Sequence, residues 1–410
     1  MPRLSTVIIG AGHSGLAMSR ALAGRGIDHL VLERGQVGNS WRTERWDSLR
    51  LLTPNWMNGL PGLPYAGADP DGFPPTATLV RDFESCAAIN GAPLRTETRV
   101  LSVTWEAGYK VRTDQETLSS DSIVVATGAC ALPNIPAFAD DLPAGIAQIS
   151  PITYRRPDDL PPDGVLVVGA SASGLQIARE LALAGRRTIL AVGSHLRLPR
   201  RYRGADILTW MHRAGVFDTP YDQVDDIERV RRTPSLPLMG SDTHETLDLN
   251  ALQDLGVEIV GRFAAIAEGK AQFSGSLANF CASADLKMNR LLDAVDRRIE
   301  ADGLQVPDAE RSAPTRVPDA PRLTLDLARS GIGTLVWATG YRPDHHWLNL
   351  PVFDRKGRIR HDGGVIADGL YVMGLPYLRS RHSTHIAGAT ADAEALAGHL
   401  AERLPRRHAA

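Results

Sequence analysis

The sequence predicts an α/β fold in which a second strand–turn–helix unit is inserted into a first unit of the same kind. An apolar strand runs into a glycine-rich turn twice along the chain. The first copy is Val7-Ile8-Ile9 followed by Gly10-Ala11-Gly12-His13-Ser14-Gly15. The second is Val165-Leu166-Val167-Val168 followed by Gly169-Ala170-Ser171-Ala172-Ser173-Gly174. The tripeptide Ala-Thr-Gly also closes an apolar strand twice, as Ala126-Thr127-Gly128 and Ala338-Thr339-Gly340.

The glycine-rich turns predict two nucleotide sites. In this motif the first glycine allows a tight turn, the second lets the backbone approach a pyrophosphate, and the third lets helix and strand pack closely. The amino end of the helix then faces the phosphates. Each copy has the strand before it and the alanine-rich helix after it that the motif requires. We therefore expect two Rossmann-like dinucleotide-binding domains, with nucleotide contacts from Gly10, Gly12, Ser14, Gly15, Gly169, Ser171, Ser173 and Gly174.

The two units differ where their second strand ends. In the first unit, Glu33 follows the strand His29–Leu32, and a carboxylate at this position accepts hydrogen bonds from ribose hydroxyls. This predicts an unphosphorylated ribose, as in FAD. In the second unit no acid follows Val192, and the chain offers Ser194, His195, Arg197, Arg200 and Arg201 instead. Arginine grips phosphate in bidentate fashion, so these residues predict the 2′-phosphate of NADPH. The alternative is a solvated basic turn.

Length, charge and cysteine content narrow the possible classes of protein. The 410 residues suffice for two or three domains, and a net charge of −2 gives no field that would attract nucleic acid. Cys86, Cys130 and Cys281 lie far apart, so the sequence offers neither a redox dithiol nor a metal site, and this argues against a flavin disulfide reductase. We expect a cytoplasmic protein with no membrane partner, because the first strand begins within a few residues and no apolar run approaches the ~20 residues of a span. Whether the chain forms a homodimer stays open.

The order of the elements predicts a discontinuous first domain. We expect residues 1–140 and 333–410 to form an FAD-binding domain and residues 160–330 to form an NADPH-binding domain, with residues 141–159 as a linker. Within the second domain the sequence predicts a helix near 204–214, a hairpin around 256–280 and an amphipathic helix near 285–301.

These motifs resemble the flavin-containing monooxygenase superfamily, within the larger group of flavoproteins with two dinucleotide-binding domains. The resemblance rests on both glycine-rich turns, Glu33, Gly38-Asn39-Ser40-Trp41 and Ala338-Thr339-Gly340-Tyr341. It is greatest to the bacterial flavoproteins labelled as involved in potassium transport. It implies that NADPH reduces FAD and that a flavin hydroperoxide, formed with oxygen, oxygenates a small sulfur- or nitrogen-containing (or ketone) substrate. It also implies cofactor contacts from Arg34, Trp41, Thr127, Gly128, Thr339, Gly340 and Gly374.

The resemblance suggests three catalytic residues. A flavin hydroperoxide needs a polar donor near its reactive carbon, and the position of Asn55 in the family implies this role. A turn-forming asparagine after Pro54 is the alternative. Arg381 and His382 follow Gly374, where the tail of the family approaches the flavin and a cation would stabilise its anionic reduced form. The alternative for both is an ordinary surface loop.

One departure from the family motif leaves other functions open. The family has a histidine before the second glycine-rich turn, in the motif F-x-G-x-x-x-H-x-x-x-[FYW]. Here Ser150 occupies that position, and only the final aromatic residue is retained, as Tyr154. The alternatives are an NAD(P)H oxidoreductase that passes electrons to a quinone, a redox partner or oxygen, and a non-catalytic nucleotide-sensing flavoprotein.

Overall fold

The first glycine-rich unit forms the centre of an eight-stranded sheet. The structure is a computed structural model, and it describes residues 3–403. Its first elements are β1 (Arg3–Ile9), α1 (His13–Ala23), β2 (His29–Leu32), α2 (Asn39–Thr43), α3 (Thr76–Ile89), β3 (Leu94–Arg95), β4 (Val100–Trp105), β5 (Tyr109–Thr113), β6 (Thr117–Val125) and β7 (Leu132–Pro133). β1 pairs in parallel with β2 on one side and β6 on the other. β4 and β5 form an antiparallel pair, and β5 pairs in turn with β6.

The second unit builds its own parallel sheet of five strands, in the order β13-β10-β9-β17-β8. The elements are β8 (Ala147–Ile149), β9 (Gly164–Val168), α4 (Ala172–Leu183), β10 (Thr188–Val192), β11 (Arg201–Tyr202), β12 (Ala205–Asp206), α5 (Ile207–Arg213), α6 (Ile227–Arg231), α7 (Leu249–Asp254), β13 (Glu258–Gly261), β14 (Phe263–Ala267), β15 (Lys270–Phe273), α8 (Leu277–Ala301), β16 (Thr324–Asp326) and β17 (Ile332–Trp337). β9 and β10 are buried at every position, as strands covered on both faces are expected to be.

The last part of the described chain returns to the first sheet. It contains β18 (Tyr341–Arg342), β19 (Val365–Ala367), β20 (Leu370–Val372) and α9 (Gly388–Arg403). β20 pairs in parallel with β6, and α9 packs against α1. β18 pairs with β7, so the two segments that follow the Ala-Thr-Gly sequences are joined to each other.

The sheets place the boundary between the units differently from the sequence prediction. The predicted linker, residues 141–159, contains β8, which is an edge strand of the second sheet. The predicted first-domain segment, residues 333–410, begins inside β17, which lies between β9 and β8. An apolar strand pattern shows that a strand is buried but not which sheet it joins, so the sequence alone assigned β17 to the wrong unit.

The predicted elements of the insert are present. The helix expected near 204–214 is α5, and the predicted hairpin contains the antiparallel pair of β14 and β15. α8 begins eight residues earlier than the predicted helix and ends at Ala301. Within residues 3–403 no helix is both long and apolar enough to cross a membrane.

Candidate functional site

The first glycine-rich turn joins the carboxyl end of β1 to the amino end of α1. Gly10 has φ of +109°, and a Cβ atom there would lie 2.6 Å from the carbonyl oxygen of Ala126. A Cβ atom on Gly15 would lie 1.9 Å from the carbonyl oxygen of Gly10, whereas one on Gly12 would meet nothing within 4 Å. Gly10 and Gly15 therefore serve close packing of the backbone. Gly12 leaves open space at the helix end, where a pyrophosphate would approach.

Three buried polar atoms around this turn have no hydrogen-bond partner among the described residues. They are the Oγ of Ser14, the Oγ1 of Thr127 and the Nε2 of His13. A Cβ atom on Gly374 would lie 2.8 Å from Ser14 Oγ, so the segment after β20 closes over the same place. Buried polar groups are normally hydrogen-bonded. Their presence beside the open backbone at Gly12 fits a polar ligand such as the phosphates of FAD.

Glu33 lies at the end of β2, beside the first turn. It is 8% exposed, its Oε2 accepts a hydrogen bond of 2.8 Å from the amide of Ala11, and its Oε1 accepts one of 3.2 Å from the amide of Gly35. The carboxylate therefore braces the turn. Each oxygen keeps a second lone pair, and the contact to a ribose stays a prediction.

Arg34 and Trp41 occupy the loop that follows β2. Arg34 is exposed and forms an ion pair with Glu44. Trp41 lies in α2, with the guanidinium of Arg45 5.0 Å from the centre of its ring. Gly38 directly precedes this helix. Its φ of +69° favours glycine, and a Cβ atom there would lie 2.8 Å from the ring of Phe83. Contacts of Arg34 and Trp41 with the cofactor stay predictions.

The second glycine-rich turn repeats the geometry of the first. Gly169 has φ of +112°, and a Cβ atom there would lie 2.3 Å from the carbonyl oxygen of Ala338. A Cβ atom on Gly174 would lie 1.8 Å from the carbonyl oxygen of Gly169. Ala338 thus takes the place that Ala126 has beside the first turn. The repeated Ala-Thr-Gly sequence marks the strand that packs on each turn.

The hydroxyl groups around the second turn bond to neighbouring segments. Ser171 Oγ donates to the carbonyl of Ser235 at 2.9 Å, and Ser173 Oγ lies 3.3 Å from the hydroxyl of Tyr341. Thr339 Oγ1 donates to the carbonyl of Asn134 at 2.5 Å. A Cβ atom on Gly340 would meet nothing within 4 Å, so the backbone there leaves room beside α4. Contacts of these residues with a nucleotide stay predictions.

Arg197 is not available to a phosphate, contrary to the prediction. Its Nη1 donates to Asp285 at 2.7 Å, and its Nε and Nη2 donate to Asp248 at 2.9 and 2.6 Å. The side chain is 5% exposed. One guanidinium between two carboxylates leaves a net negative charge, which would repel a phosphate.

Arg200 is likewise a structural residue and not a phosphate ligand. It is fully buried, and its Nε donates to Asp206 at 2.8 Å. Its Nη1 donates to the carbonyl of Leu52 at 2.8 Å, and its guanidinium lies 4.1 Å from the centre of the Phe73 ring. Arg200 therefore ties the insert to the loop that follows α2, because Leu52 and Phe73 both belong to that loop.

The other residues after β10 differ in accessibility. Ser194 is exposed, directly beyond the strand. His195 is 5% exposed, with Nδ1 3.0 Å from the carbonyl of Gly193, and burial lowers its pKa. Arg201 is exposed on β11, and its Nη2 donates to the carbonyl of Gly204 at 2.6 Å. Ser194 and Arg201 are therefore open to solvent, while the buried His195 contacts the backbone of the turn.

Arg262, which follows β13, is not among the residues that the sequence predicts for the nucleotide site. β13 pairs in parallel with β10, with Gly261 opposite Val192, so Arg262 lies beside Gly193 at the same edge of the sheet. Its side chain is exposed, and its guanidinium lies 5.2 Å from the centre of the Phe280 ring. The signal in the sequence was a basic residue directly after an apolar strand, but neighbouring strands are known only once the sheet is known.

His382 lies in a cluster of rings between the first unit and α5. Its Nε2 is 3.2 Å from Asp218 Oδ1, and its Nδ1 is 3.4 Å from Nδ1 of His385. The rings of Phe217 and His212 lie 5.1 and 5.9 Å from its ring. Burial lowers the pKa of His382, and burial with the neighbouring His382 and His13 lowers that of His385 to about 4. Near pH 7 the neutral imidazole form of His382 and His385 is therefore favoured.

The structure gives Asn55 a local role. Its Nδ2 donates to the carbonyl of Asp69 at 2.8 Å and lies 3.4 Å from the hydroxyl of Tyr65, so the amide braces a loop. This agrees with a turn-forming asparagine and differs from the predicted catalytic donor. Arg381 lies 5.5 Å from the centre of the Tyr377 ring and is half-buried. Its predicted role at the flavin stays a prediction.

Ser150 lies at the carboxyl end of β8, where the family motif has its histidine. It is buried, and its carbonyl accepts the amide of Tyr154 at 2.8 Å. Tyr154 belongs to the core of the second unit. The hydrogen bond between Ser150 and Tyr154 therefore closes a turn of the backbone. Among residues 3–403 no group of three or more His, Cys, Asp or Glu is arranged to hold a metal ion.

Comparisons with known proteins agree with this architecture. The model of the pyridine nucleotide-disulphide oxidoreductase family matches residues 7–205. Over 398 residues the chain is 29% identical to an uncharacterized CzcO-like oxidoreductase of Geobacillus kaustophilus, with 96% of this chain and 97% of the relative covered. Over 204 residues it is 32% identical to the rice indole-3-pyruvate monooxygenase YUCCA1, with 48% of this chain and 50% of the relative covered.

Solved structures show the same fold. The flavin-containing monooxygenase of Stenotrophomonas maltophilia superposes with a TM-score of 0.68 at 16% identity, with 98% of this chain and 99% of that chain covered. The bacillithiol disulfide reductase of Bacillus cereus gives 0.62 at 16% identity, with 98% and 100% covered. OTEMO in complex with FAD and NADP gives 0.56 at 16% identity, with 98% and 84% covered.

These matches confirm the predicted fold and the predicted resemblance to flavin-containing monooxygenases. The matched family and relatives are oxidoreductases or monooxygenases, and the OTEMO structure of the same fold holds FAD and NADP.

Proposed function

We propose that the protein is an FAD-dependent, NADPH-using monooxygenase that oxygenates a small sulfur- or nitrogen-containing or ketone substrate. The observation that carries the proposal is the pair of turns with matching geometry, at Gly10–Gly15 and Gly169–Gly174, in one chain. Each turn ends at the amino end of a helix, which is a favourable place for phosphate groups. Similarity to a monooxygenase over 48% of the chain supports the reaction class.

The first turn would hold FAD. Backbone at Gly12 and the hydroxyls of Ser14 and Thr127 would face its phosphates, because these groups are open or lack a partner in the protein. Glu33 would face the ribose from the end of β2. The remaining predicted contacts are Gly10, Gly15, Gly128 and Gly374.

The second turn would hold NADPH. Backbone beside Gly340 is open, while Ser171 is bonded to the carbonyl of Ser235 and would exchange this bond for one to the pyrophosphate. When bound, the nicotinamide supplies a hydride and the flavin transfers its electrons to oxygen, so the chain itself positions groups and excludes water. The proposed substrate side is the ring cluster of His382, where Asp218 fixes one imidazole nitrogen.

The alternative is an oxidoreductase of the same fold that passes electrons to a quinone, a redox partner or oxygen. Ser150 favours it, because a buried serine stands where the family motif has histidine. The fold match to bacillithiol disulfide reductase agrees with this alternative as well as with the first proposal.

One experiment separates the two. The purified holoenzyme is reduced with NADPH without oxygen and then mixed with oxygenated buffer, with methyl phenyl sulfide, trimethylamine or cyclohexanone as probe substrates. A monooxygenase gives a transient with a spectrum between those of reduced and oxidised flavin, and ¹⁸O from labelled oxygen appears in one probe's product. Direct return of oxidised flavin, with hydrogen peroxide formed in proportion to NADPH and no labelled product, would favour the oxidoreductase.

A further inference from the structure

We propose that Arg262, with Ser194 beside it, binds the 2′-phosphate of NADPH and sets the preference for NADPH over NADH. This inference rests on the proposed function and names the residues that recognise the coenzyme. It replaces the predicted role of Arg197 and Arg200, whose charges are neutralised by buried carboxylates.

The position of Arg262 follows from the register of two parallel strands. Val192, the last residue of β10, is opposite Gly261, the last residue of β13. The residues that follow, Gly193 and Arg262, therefore meet at the carboxyl edge of the second sheet. In nucleotide-binding sheets of this kind the adenosine ribose lies at the end of the second strand, which here is β10.

Gly193 allows this arrangement. A Cβ atom at Gly193 would lie 3.3 Å from Nε of Arg262 and 3.7 Å from its Cγ. The arginine side chain therefore passes directly over the backbone of the turn that carries Ser194. A larger residue at position 193 would push the guanidinium away from this turn.

The guanidinium is held in place without being neutralised. It lies 5.2 Å from the centre of the Phe280 ring, a contact that fixes the plane of an arginine and leaves its N–H groups outward. Within residues 3–403 its side chain forms no ion pair or hydrogen bond with another residue. An exposed, uncompensated guanidinium suits bidentate recognition of phosphate.

Lys287 of α8 is a second exposed cation in the insert. Burial lowers the pKa of His195, and the positive charge of Lys287 lowers it further. Arg262 supplies the directed hydrogen bonds, and Lys287 adds a more diffuse attraction.

Isothermal titration of the holoenzyme with NADP⁺ and NAD⁺ tests this inference. These ligands differ only in the 2′-phosphate, and the readout needs no turnover. We expect Arg262→Gln to weaken NADP⁺ binding by about tenfold or more while NAD⁺ binding is unchanged. Arg262→Lys keeps the charge and should retain part of the preference. Arg112→Gln is the matched control, because Arg112 is also exposed and basic but lies on β5 of the first sheet, and it should leave both affinities unchanged.

The outcomes are distinct. An Arg262→Gln protein that keeps the wild-type preference for NADP⁺, or an Arg112→Gln protein that loses it, would overturn the assignment to Arg262. A wild-type protein that binds NAD⁺ as tightly as NADP⁺ would overturn the proposed use of NADPH, and this assignment with it. Matching circular dichroism spectra and melting temperatures show that the variants are folded, as the exposed position of Arg262 leads us to expect.

Discussion

Arg197 places two of its nitrogens on one oxygen of Asp248: Nε lies 2.9 Å and Nη2 lies 2.6 Å from Oδ2. The other oxygen of Asp248 accepts the amide of Ala251 at 2.9 Å and so caps α7. Arg197, which the sequence predicts to bind a coenzyme phosphate, therefore binds the carboxylate that caps a helix. Arg197 therefore contributes to the stability of the second unit and not to its choice of coenzyme.

Replacing Arg197 with methionine should destabilise the protein without changing its coenzyme preference. The change leaves Asp248 and Asp285 buried without their cation, and removal of one partner from a buried ion pair costs about 3–5 kcal/mol. Urea denaturation would measure this loss in the free energy of unfolding. Arg322→Gln is the control, because it breaks an exposed ion pair with Glu258 and should cost about 1 kcal/mol or less. A stable Arg197→Met protein that no longer prefers NADP⁺ would return Arg197 to the phosphate site.

Two glycines of the first turn should respond differently to alanine. Gly15→Ala places a Cβ atom 1.9 Å from the carbonyl of Gly10, so α1 must move away from β1 and the melting temperature should fall by several degrees. Gly12→Ala meets nothing within 4 Å in the protein, so the apoprotein should melt as the wild type does, but it should retain little FAD. Thermal melts of apoprotein, with the flavin content of freshly purified protein, measure both effects. Full flavin content in Gly12→Ala would contradict the pyrophosphate position.

Glu33→Ala should strip FAD from the protein, and Glu33→Gln should strip less of it. Alanine removes both acceptors, the one for the Ala11 amide and the one for the Gly35 amide, whereas glutamine keeps one acceptor oxygen. The flavin absorbance of purified protein relative to its absorbance at 280 nm gives the comparison. A yellow Glu33→Ala protein with the flavin content of the wild type would contradict the assignment of the ribose.

Asp392→Asn should stabilise the protein above pH 6 and have no effect near pH 4. Burial raises the pKa of Asp392 to about 6, against the lowering effects of Ser383 and Arg379. Because the folded pKa lies above the unfolded value, the folded state holds the proton more tightly, and stability is lost as pH rises from about 4 to about 6. The neutral amide avoids this loss, which is about 3 kcal/mol for a shift of this size.

Melting temperatures of the wild type and of Asp392→Asn between pH 4 and pH 8 test that expectation. The two curves should meet at the acidic end and separate as pH rises. A constant difference over the whole range would show that the substitution acts through packing, and a wild-type protein that is more stable at pH 8 would show that the carboxylate is paired there.

Much of the fold could be predicted because its signals are local. The two glycine-rich turns, the strands before them and the helices after them occupy short stretches of sequence, and the structure contains all of them. The membership of β17 could not be predicted, because Leu335, Val336 and Trp337 are equally apolar in either sheet. Only the pairing of β17 with β9 assigns it to the second unit.

For the candidate site too, some features could be predicted from the sequence and others could not. The amide of Asn55 contacts residues of its own loop and stabilises that loop. The sequence indicates this role, because a proline directly precedes Asn55. The sequence predicts His382 as a site residue. It does not predict that the segment after α5, which contains Phe217, packs against His382. Contacts between residues more than a hundred positions apart are invisible to motif and spacing.

The sequence by itself determined the two turns, since a glycine is required wherever φ is positive and backbone approaches backbone, as at Gly10 and Gly169. Tertiary structure alone decided which arginine is free to meet a phosphate. Asp248 and Asp285 come from distant helices to neutralise Arg197, while the pairing of β10 with β13 brings Arg262 to Gly193. The physical reason is that backbone conformation is fixed by neighbours in the chain, whereas the net charge at a site is the sum over neighbours in space.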